Sequence, residues 1–507
     1  ASEAAARDAA AIAAGTLSGI LMERAGTAAA VEIVRRYPAY RSARVAVCAG
    51  PGNNGGDGWI VARELARGGA QVAVVAPAGT RSAEATAARA TVLETRGVSQ
   101  AESIGDATMV IDALLGTGSS GAPRDAIAVA VSAINAARAR GATIVSLDLP
   151  SGIDADGAAV ASPSVIADLT LTFGTLKRGL LTARDTAGAI VVLDIGLGAS
   201  GDNDSAPTLV AAPWVRGRIP PIPASAHKGT RKKLVIVGGQ LGMAGAPMLA
   251  ARAAMRSGIG MVRLVVAPEN IPVVQAAVPL AMAAAWPKRE EEVRDAITDW
   301  ADGVLLGPGL GDSPQSLALA KMVLAQWRGP VVVDADGLNV FKRNADALGD
   351  LLRGRPALIT PHAAECARLV DESVGEVLAQ RWTVGATLAK TVRAAVLLKG
   401  VPTIISSEKG ERLVSAAGAP VLAAAGSGDL LSGIAATLLA QMGSALEAGA
   451  CAAWVHGRAA ELVGTGRTAR GVTLEQVESA LSSVWALTDD PPRAGILAEL
   501  PFAGEPR

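Results

Sequence analysis

Short continuous runs of aliphatic and β-branched residues alternate along this chain with longer segments whose apolar positions recur every three or four residues. In the first 200 residues the apolar runs fall at 45–49, 71–76, 109–113, 143–147 and 190–194, with helical spacing over 59–67 and 122–140. Further on they fall at 233–237, 261–266, 303–306, 330–333, 357–360, 395–398 and 403–406. Runs of four to eight apolar residues bounded by turn formers predict strands buried on both faces, and alternation with helices predicts βαβ units. The pattern therefore predicts an α/β protein with two mostly parallel sheets, each sandwiched by helices. The two halves share this pattern and no sequence repeat.

Between the halves, residues 199–226 are crowded with Gly, Asp, Asn, Ser and Pro, and Pro220, Pro221 and Pro223 stiffen the segment. The expected organisation is a first domain over 1–200, a Pro-rich connector over 201–222, a second domain over 223–490 and a C-terminal tail over 491–507. Lysine plus arginine and aspartate plus glutamate both number 47, so the formal charge is zero. That balance excludes a broad basic footprint for nucleic acid or an anionic membrane. The uncharged stretches 414–428 and 430–446 are split by Asp429 and carry five glycines, a poor composition for a span of about 20 apolar residues. Pro272, Pro279 and Pro287 break the uncharged stretch 271–287, and Glu3, Arg7 and Asp8 interrupt what would be a signal peptide's apolar core. Three scattered cysteines suit a reducing compartment. A soluble, cytoplasmic protein is expected. Glycine, at 57 of 507 residues, is the compositional outlier and points to turns and ligand-binding loops.

The first strand runs directly into Gly50-Pro51-Gly52-Asn53-Asn54-Gly55-Gly56-Asp57-Gly58, ahead of a helix. Glycines admit close backbone approach to an anion, and a helix N-terminus supplies free N–H groups. Residues 50–55 satisfy GxGxxG, but no acidic residue ends the second strand to take ribose hydroxyls, which argues against an ordinary NAD-cofactor site. A plain tight turn would account for the glycines and leave Asn53, Asn54 and Asp57 unexplained. Two more loops follow strands: Asp112 to Gly121, and Asp148-Leu149-Pro150-Ser151-Gly152-Ile153-Asp154. Together they deliver Asn, Asp and Ser oxygens to one carboxyl edge, where open α/β sheets bind ligands. Asn54, Asp112 and Ser151 suit a hard cation better than zinc.

LMERAG (21–26), CAGPGNNGGDGWIVAREL (48–65), IDALLGTG (111–118), SLDLPSGIDAD (146–156) and LTFGTLKRGLL (171–181) closely resemble the NAD(P)H-hydrate epimerase domain. The resemblance covers nearly all of residues 15–198 and implies a Rossmann-like three-layer sandwich. It implies that Asn53, Asn54, Gly55, Gly56 and Asp57, with Gly116, Thr117, Gly118, Ser119, Ser120, Gly121 and Ala122, hold the hydrated dinucleotide. Asp148 would contact the hydrated nicotinamide as the acid/base, and Asn54, Asp112 and Ser151 would hold K⁺. Lys177-Arg178-Gly179 stands where that family commonly has Lys-Pro-Gly.

In the second half, Ala425-Gly426-Ser427-Gly428-Asp429 opens a long apolar helix. Such a helix start cradles a transferring phosphoryl group, and the aspartate after it can accept a hydroxyl proton. An N-cap aspartate on a glycine turn is the plainer alternative. No GxxxxGK[ST] loop occurs, which argues against P-loop chemistry. Further loops accompany the strands: His227-Lys228-Gly229, Gly307-Pro308-Gly309-Leu310-Gly311, Asp334 to Asn339, Thr360-Pro361-His362 with Glu365, and Lys399-Gly400-Val401-Pro402-Thr403. His456 and the three cysteines read as structural. HKG, GPGLG, VVVDADGLN, LITPHAAECARLV, LLKGVPTII and AGSGDLLSGI look like the NAD(P)H-hydrate dehydratase domain, a ribokinase-like α/β domain, over residues 227 to about 465. That resemblance implies ADP or ATP, with Mg²⁺, held by Lys399, Gly400, Val401, Pro402 and Thr403 and by Gly426, Ser427 and Gly428. It implies the hydrated dinucleotide near Ala246, Gly309 and His362, with Asp429 as base. TPHAAE replaces the usual Thr-Pro-His-Pro-Gly-Glu, and Arg231-Lys232-Lys233 stands where relatives often have a glycine.

The two resemblances together imply a bifunctional repair enzyme. One domain would interconvert the R and S hydrates of NADH and NADPH; the other would dehydrate the S form at the expense of ADP, releasing AMP and phosphate. The expected partners are these small molecules, with no nucleic acid and no membrane, and a homo-oligomer is expected. One competing reading is a ribokinase-like small-molecule kinase with a fused nucleotide-binding domain. Another makes the first half a non-catalytic ligand sensor.

Overall fold

The apolar runs become the central strands of two separate sheets. In the computed structural model, described over residues 1–157, 160–198, 206–486 and 493–504, the chain divides into two units, Ala1–Asp202 with Asp490–Gly504, and Asn203–Asp489. The first sheet contains β1 (Arg44–Ala49), β2 (Gln71–Val75), β3 (Val98–Gln100), β4 (Met109–Ala113), β5 (Thr143–Leu147), β6 (Leu169–Phe173) and β7 (Ala189–Leu193), in the order β7-β6-β5-β4-β1-β2-β3. These seven are parallel, and the C-terminal strand Ile496–Leu500 adds to β7 antiparallel. Val45, Val47 and Ala49 face helices Ser18–Arg36 and Asn53–Arg67, while Ala46 and Cys48 face helix Asp125–Ala139. A strand buried on both faces must be apolar throughout, which is why β1 reads as an unbroken run.

The second sheet has ten strands: β8 (Thr208–Leu209), β9 (Lys233–Val237), β10 (Met261–Val266), β11 (Met282–Ala285), β12 (Gly303–Leu306), β13 (Val331–Val333), β14 (Ala357–Ile359), β15 (Ala395–Leu398), β16 (Thr403–Ser406) and β17 (Arg412–Ser415). Their order is β11-β10-β9-β12-β13-β14-β15-β16-β17-β8; β16 is antiparallel to both its neighbours and every other pairing is parallel. Helices Gly245–Arg256, Ser427–Met442 and Ala445–Gly464 cover one face, and Pro314–Gln326, Ala345–Leu352 and Val384–Val392 the other. Strand order reverses between β1 and β4 in the first sheet and between β9 and β12 in the second. Such reversals open a crevice beyond the carboxyl ends of the strands. Register sets Cys48 beside Asp112 at the first of them.

Several features depart from the pattern-based expectation. The Asn-Asn-Gly-Gly-Asp motif is the opening of helix Asn53–Arg67 rather than a loop before residue 59. Within the expected connector, residues 208–209 form an edge strand and Ala212–Arg216 a helix whose Ala212 and Val215 join the second unit's core; residues 199–205 lie outside the described residues. The expected tail supplies a strand to the first sheet, with residues 487–492 and 505–507 likewise outside. All three cysteines are free and buried. Among the described residues no helix is long and apolar enough to cross a membrane.

Glu32, buried on helix Ser18–Arg36, anchors the C-terminal segment to the first unit by accepting from Arg35, Arg36 and Arg493. Burial alone would raise its carboxyl, but these guanidinium bonds outweigh burial and hold it down at about 2. A depressed carboxyl contributes stability above its unfolded value that is lost as pH falls toward the folded one. Glu32→Gln is expected to lower the melting temperature of the first unit at pH 7 by roughly 2–5 °C. Between about pH 4.5 and 2 it should lose less stability than the parent; calorimetry across that range checks both.

Candidate active sites

In the first unit, close backbone approach dictates two of the glycines. A Cβ on Gly50 would lie 1.7 Å from the Leu114 carbonyl oxygen, and one on Gly55 would lie 1.9 Å from that of Gly50. Bare glycine thus lets the end of β1, the loop after β4 and the start of helix Asn53–Arg67 interlock. The Asn54 side chain donates to the Leu115 carbonyl (2.9 Å), and the Leu115 N–H donates to Ser151 Oγ (3.0 Å). Ser151 Oγ in turn donates to Asp112 Oδ1 (2.7 Å). Asp112 also accepts from the Ser151 N–H, the Ser146 hydroxyl and the Leu114 N–H, yet burial still raises its carboxyl. Asn54 Oδ1 is buried and has no hydrogen-bond partner among the described residues.

Asp148 follows β5 with φ +62° and turns its carboxylate inward. Lys177 Nζ sits 2.6 Å from Asp148 Oδ1 and also donates to Thr172 Oγ1 and the Phe173 carbonyl, each at 2.9 Å. The Thr117 N–H donates to Asp148 Oδ2 (3.1 Å), and Gly116 lies against both Asn54 and Asp148. Burial pushes the Asp148 carboxyl up, but the Lys177 ammonium and these bonds outweigh burial and leave it depressed. Asp57 is raised well above the carboxylate range by burial and then by the neighbouring Asp148 and Asp8. Asn54, Gly116, Thr117, Asp112, Ser151 and Asp148 are thus brought together. Ser119 and Gly121 line an adjoining cleft with Pro150, Gly152 and Asp154, while Asn53, Gly118, Ser120 and Ala122 are exposed. Gly56 packs on Met22.

In the second unit, loops from the ends of β13, β14 and β15 meet the N-terminus of helix Ser427–Met442. Lys399 Nζ lies 2.9 Å from Asp334 Oδ1 and 3.5 Å from Glu365 Oε2, and 3.3 Å from where a Gly428 Cβ would stand. Gly426, with φ +94°, ends the preceding turn without a side-chain cap, so the helix's first N–H groups are free of one. Burial, then the Asp334 charge, pushes Asp429 up to about 7 against the pull of Lys399. His362 caps helix Ala363–Val370: its Nδ1 accepts from the Ala364 and Glu365 amides, while Glu365 Oε2 accepts from the His362 N–H (2.8 Å). The alanines of TPHAAE therefore begin a capped helix. Gly309 packs on Ala246, and the Gly311 N–H donates to Asp336 Oδ2 (2.8 Å), tying that wall to the Asp334 loop.

Of the run 399–403, Lys399 alone has its charged end at this junction. Arg381 holds the loop's far side by donating to the Pro402 carbonyl (2.9 Å); Val401 is exposed and Thr403 Oγ1 donates to the Gly400 carbonyl. His227 accepts from the Gly229 N–H of its own turn. Lys232 occupies φ +73°, a conformation that favours glycine. His456 is buried and depressed to about 4 by burial and the Lys399 charge, so it is neutral. In the sequence Asp334, Glu365 and Lys177 stand out only as members of loops. Their signal was a charged residue at a strand's end or just beyond it.

The chain matches two family models, one described as YjeF-related protein N-terminus over residues 18–179 and one as NAD(P)H-hydrate dehydratase over 234–483. The bifunctional NAD(P)H-hydrate repair enzyme Nnr of Escherichia coli is 34% identical over 479 residues, covering 92% of this chain and 89% of that protein. The protein of the same name from Coxiella burnetii is 35% identical over 459 residues, covering 87% and 89%. Among solved structures, the ADP/ATP-dependent NAD(P)H-hydrate dehydratase of Bacillus subtilis, co-crystallised with ATP and Mg²⁺, aligns at a TM-score of 0.50 with 26% identity, covering 56% of this chain and 99% of that one. Fold and sites define a two-unit nucleotide-handling α/β enzyme. The chain belongs to the family of bifunctional NAD(P)H-hydrate repair enzymes, and its second unit has the dehydratase's ribokinase-like fold.

A carboxyl raised from its unfolded value to about 7 makes the fold less stable as pH climbs between those two values. Asp429→Asn removes that cost. Its melting temperature should exceed the parent's at pH 8, and the difference should shrink toward zero as pH falls to about 4. Equal melting curves at pH 8 would mean that Asp429 is not held in a charge-disfavouring environment.

Proposed function

We propose that this chain repairs hydrated NADH and NADPH in two steps, epimerising the R and S hydrates in the first unit and dehydrating the S hydrate in the second. The observation that carries the reading is Asp429, raised to about 7 at the open start of an apolar helix beside the Lys399 ammonium. A base for a hydroxyl proton works best near the operating pH, and free amides beside an ammonium suit a transferring phosphoryl group.

Hydration places a hydroxyl on C6 of the reduced nicotinamide, and hydroxide is a poor leaving group. Asp429 takes the hydroxyl proton while the Gly426–Gly428 amides and Lys399 stabilise the phosphoryl group passing from ADP, which leaves AMP. The ring nitrogen's lone pair then expels phosphate, and loss of a proton from C5 of the resulting iminium regenerates NADH or NADPH. The dinucleotide lies by Ala246, Gly309 and His362. ADP or ATP lies along Lys399 to Thr403, a choice supported by the nucleotide dependence of the Bacillus relative. Mg²⁺ accompanies the nucleotide and supplies charge neutralisation. Its protein partner would be Asp334, which is buried and already faces a cation.

In the first unit, the Asp148 carboxyl is depressed and suits a base, while that of Asp57 is raised and suits an acid. Neighbouring carboxyls pushed in opposite directions are a common basis for dividing these roles. Asn53 to Asp57 and Gly116 to Ala122 bind the hydrated dinucleotide. Asn54, Asp112 and Ser151 hold K⁺, which would supply a fixed positive charge at the head of the substrate loops. The unpartnered Asn54 Oδ1 and the buried, raised Asp112 carboxyl support a cation there. Three free, buried cysteines support a cytoplasmic setting.

The protein incubated with mixed R and S hydrates of NADH, ADP, Mg²⁺ and K⁺ is expected to restore the near-ultraviolet band of the whole mixture. About one phosphate should be released for each NADH regenerated. A phosphorylated dinucleotide that accumulates without phosphate release would instead identify a small-molecule kinase.

A further inference from the structure

Glu365 does more in this arrangement than begin a helix. Its carboxylate is buried between two groups that serve different ligands in the proposed reaction. Oε2 accepts the His362 N–H (2.8 Å) and lies 3.5 Å from Lys399 Nζ, while Oε1 lies 3.4 Å from His362 Nε2. Because His362 Nδ1 accepts two backbone amides, the neutral ring carries its proton on Nε2, which lies 3.4 Å from Glu365 Oε1 but is not aligned to hydrogen-bond it. The His362 side chain is half exposed, and its Nε2 end is the part these amides leave to be fixed. On the other side, Lys399 divides its charge between Asp334 and Glu365, and its neighbour is Gly428 at the phosphoryl cradle.

We propose that Glu365 is a positioning residue that couples the two ligands of the second unit, so that nucleotide and dinucleotide each tighten the other's binding. This rests on the reading of Lys399 as a nucleotide contact and His362 as a dinucleotide contact. A phosphate that draws Lys399 toward Gly428 takes a cation away from Glu365. The carboxylate is then free to draw the His362 Nε2–H into a hydrogen bond, and the ring is fixed for the dinucleotide. Ordering by one ligand lowers the cost of binding the other, and linkage makes the effect reciprocal.

Glutamine serves as well as glutamate in a capping box, so a residue with only a capping role tolerates Glu365→Gln. The test is calorimetric titration of the full chain with NADPH, the product, in the presence and absence of saturating ADP and Mg²⁺. The readout is the ratio of the two NADPH dissociation constants within each variant, which divides out any uniform change in affinity. The parent should show at least about a five-fold tightening with ADP. Glu365→Gln should reduce the ratio below about two-fold with its melting temperature preserved. Should that variant fold poorly, His362→Gln, which removes the other end of the contact, should abolish the ratio likewise. Full coupling in either folded variant, or independent binding in the parent, would overturn the proposal. ADP that fails to bind the parent at all would instead overturn the nucleotide site on which it rests.

Discussion

Lys177 and Lys399 each carry a full positive charge into the carboxyl edge of a sheet, where removing an ammonium from water costs several kcal/mol even after relaxation. Each is retained because acceptors surround it. Lys177 meets Asp148, Thr172 Oγ1 and the Phe173 carbonyl, and Lys399 meets Asp334 and Glu365. The remaining features of both sites follow from where those charges sit. Lys177 keeps Asp148 ionised although burial disfavours the charge. Lys399, largely satisfied by Asp334, only partly offsets the burial of Asp429, and that carboxyl rests near neutrality. One lysine therefore secures a carboxylate, and the other leaves a neighbouring carboxyl poised to exchange a proton.

Both pairs depend on the same architectural device. Parallel strands whose order reverses leave a crevice, and loops emerging from adjacent strand ends must pass within van der Waals distance to fill its floor. Gly50 and Gly55 permit that approach in the first unit. In the second, Gly307 does so by lying where any Cβ would meet the Asp334 carbonyl at 1.8 Å. The two units thus arrive independently at one solution: glycine where backbones cross, and a buried Lys–Asp pair beside the crossing. Their proposed chemistries are complementary, since the S hydrate formed by one is the form consumed by the other.

Much of this was legible in the sequence, for identifiable reasons. Strands such as β1, β9 and β12 are buried on both faces and read as uninterrupted apolar runs. The motif residues Asn54, Gly116 and Asp148 sit where glycine and polar residues cluster after such runs, and they meet in the first unit, as Gly428 meets Lys399 in the second. The runs over 98–100, 282–285 and 412–415 were not foreseen because strands at or near a sheet edge need fewer apolar positions. The C-terminal strand Ile496–Leu500 pairs across some 300 residues, a separation that no local pattern encodes. β6 holds Thr170 and Thr172 inside the core, where their hydroxyls are satisfied by the Ala187 carbonyl and by Asp148, so its pattern looked less apolar than its burial. Lys177, Asp334 and Glu365 escaped assignment because a charge at a strand's end reads as solvent-facing until its partner, tens of residues away, is in place.

The proposed repair divides two chemistries within one chain, with Asp148 assigned to one and Asp429 to the other. The most direct measurement follows mixed hydrates by chiral chromatography in full-length Asp148→Asn and Asp429→Asn, supplied with ADP, Mg²⁺ and K⁺. Asp148→Asn should consume the S hydrate with release of phosphate and leave the R hydrate in place. Asp429→Asn should form no NADH yet bring separated R or S hydrate to a common mixture. R-hydrate consumption by Asp148→Asn at the parent's rate, or loss of epimerisation in folded Asp429→Asn, would contradict the division of labour.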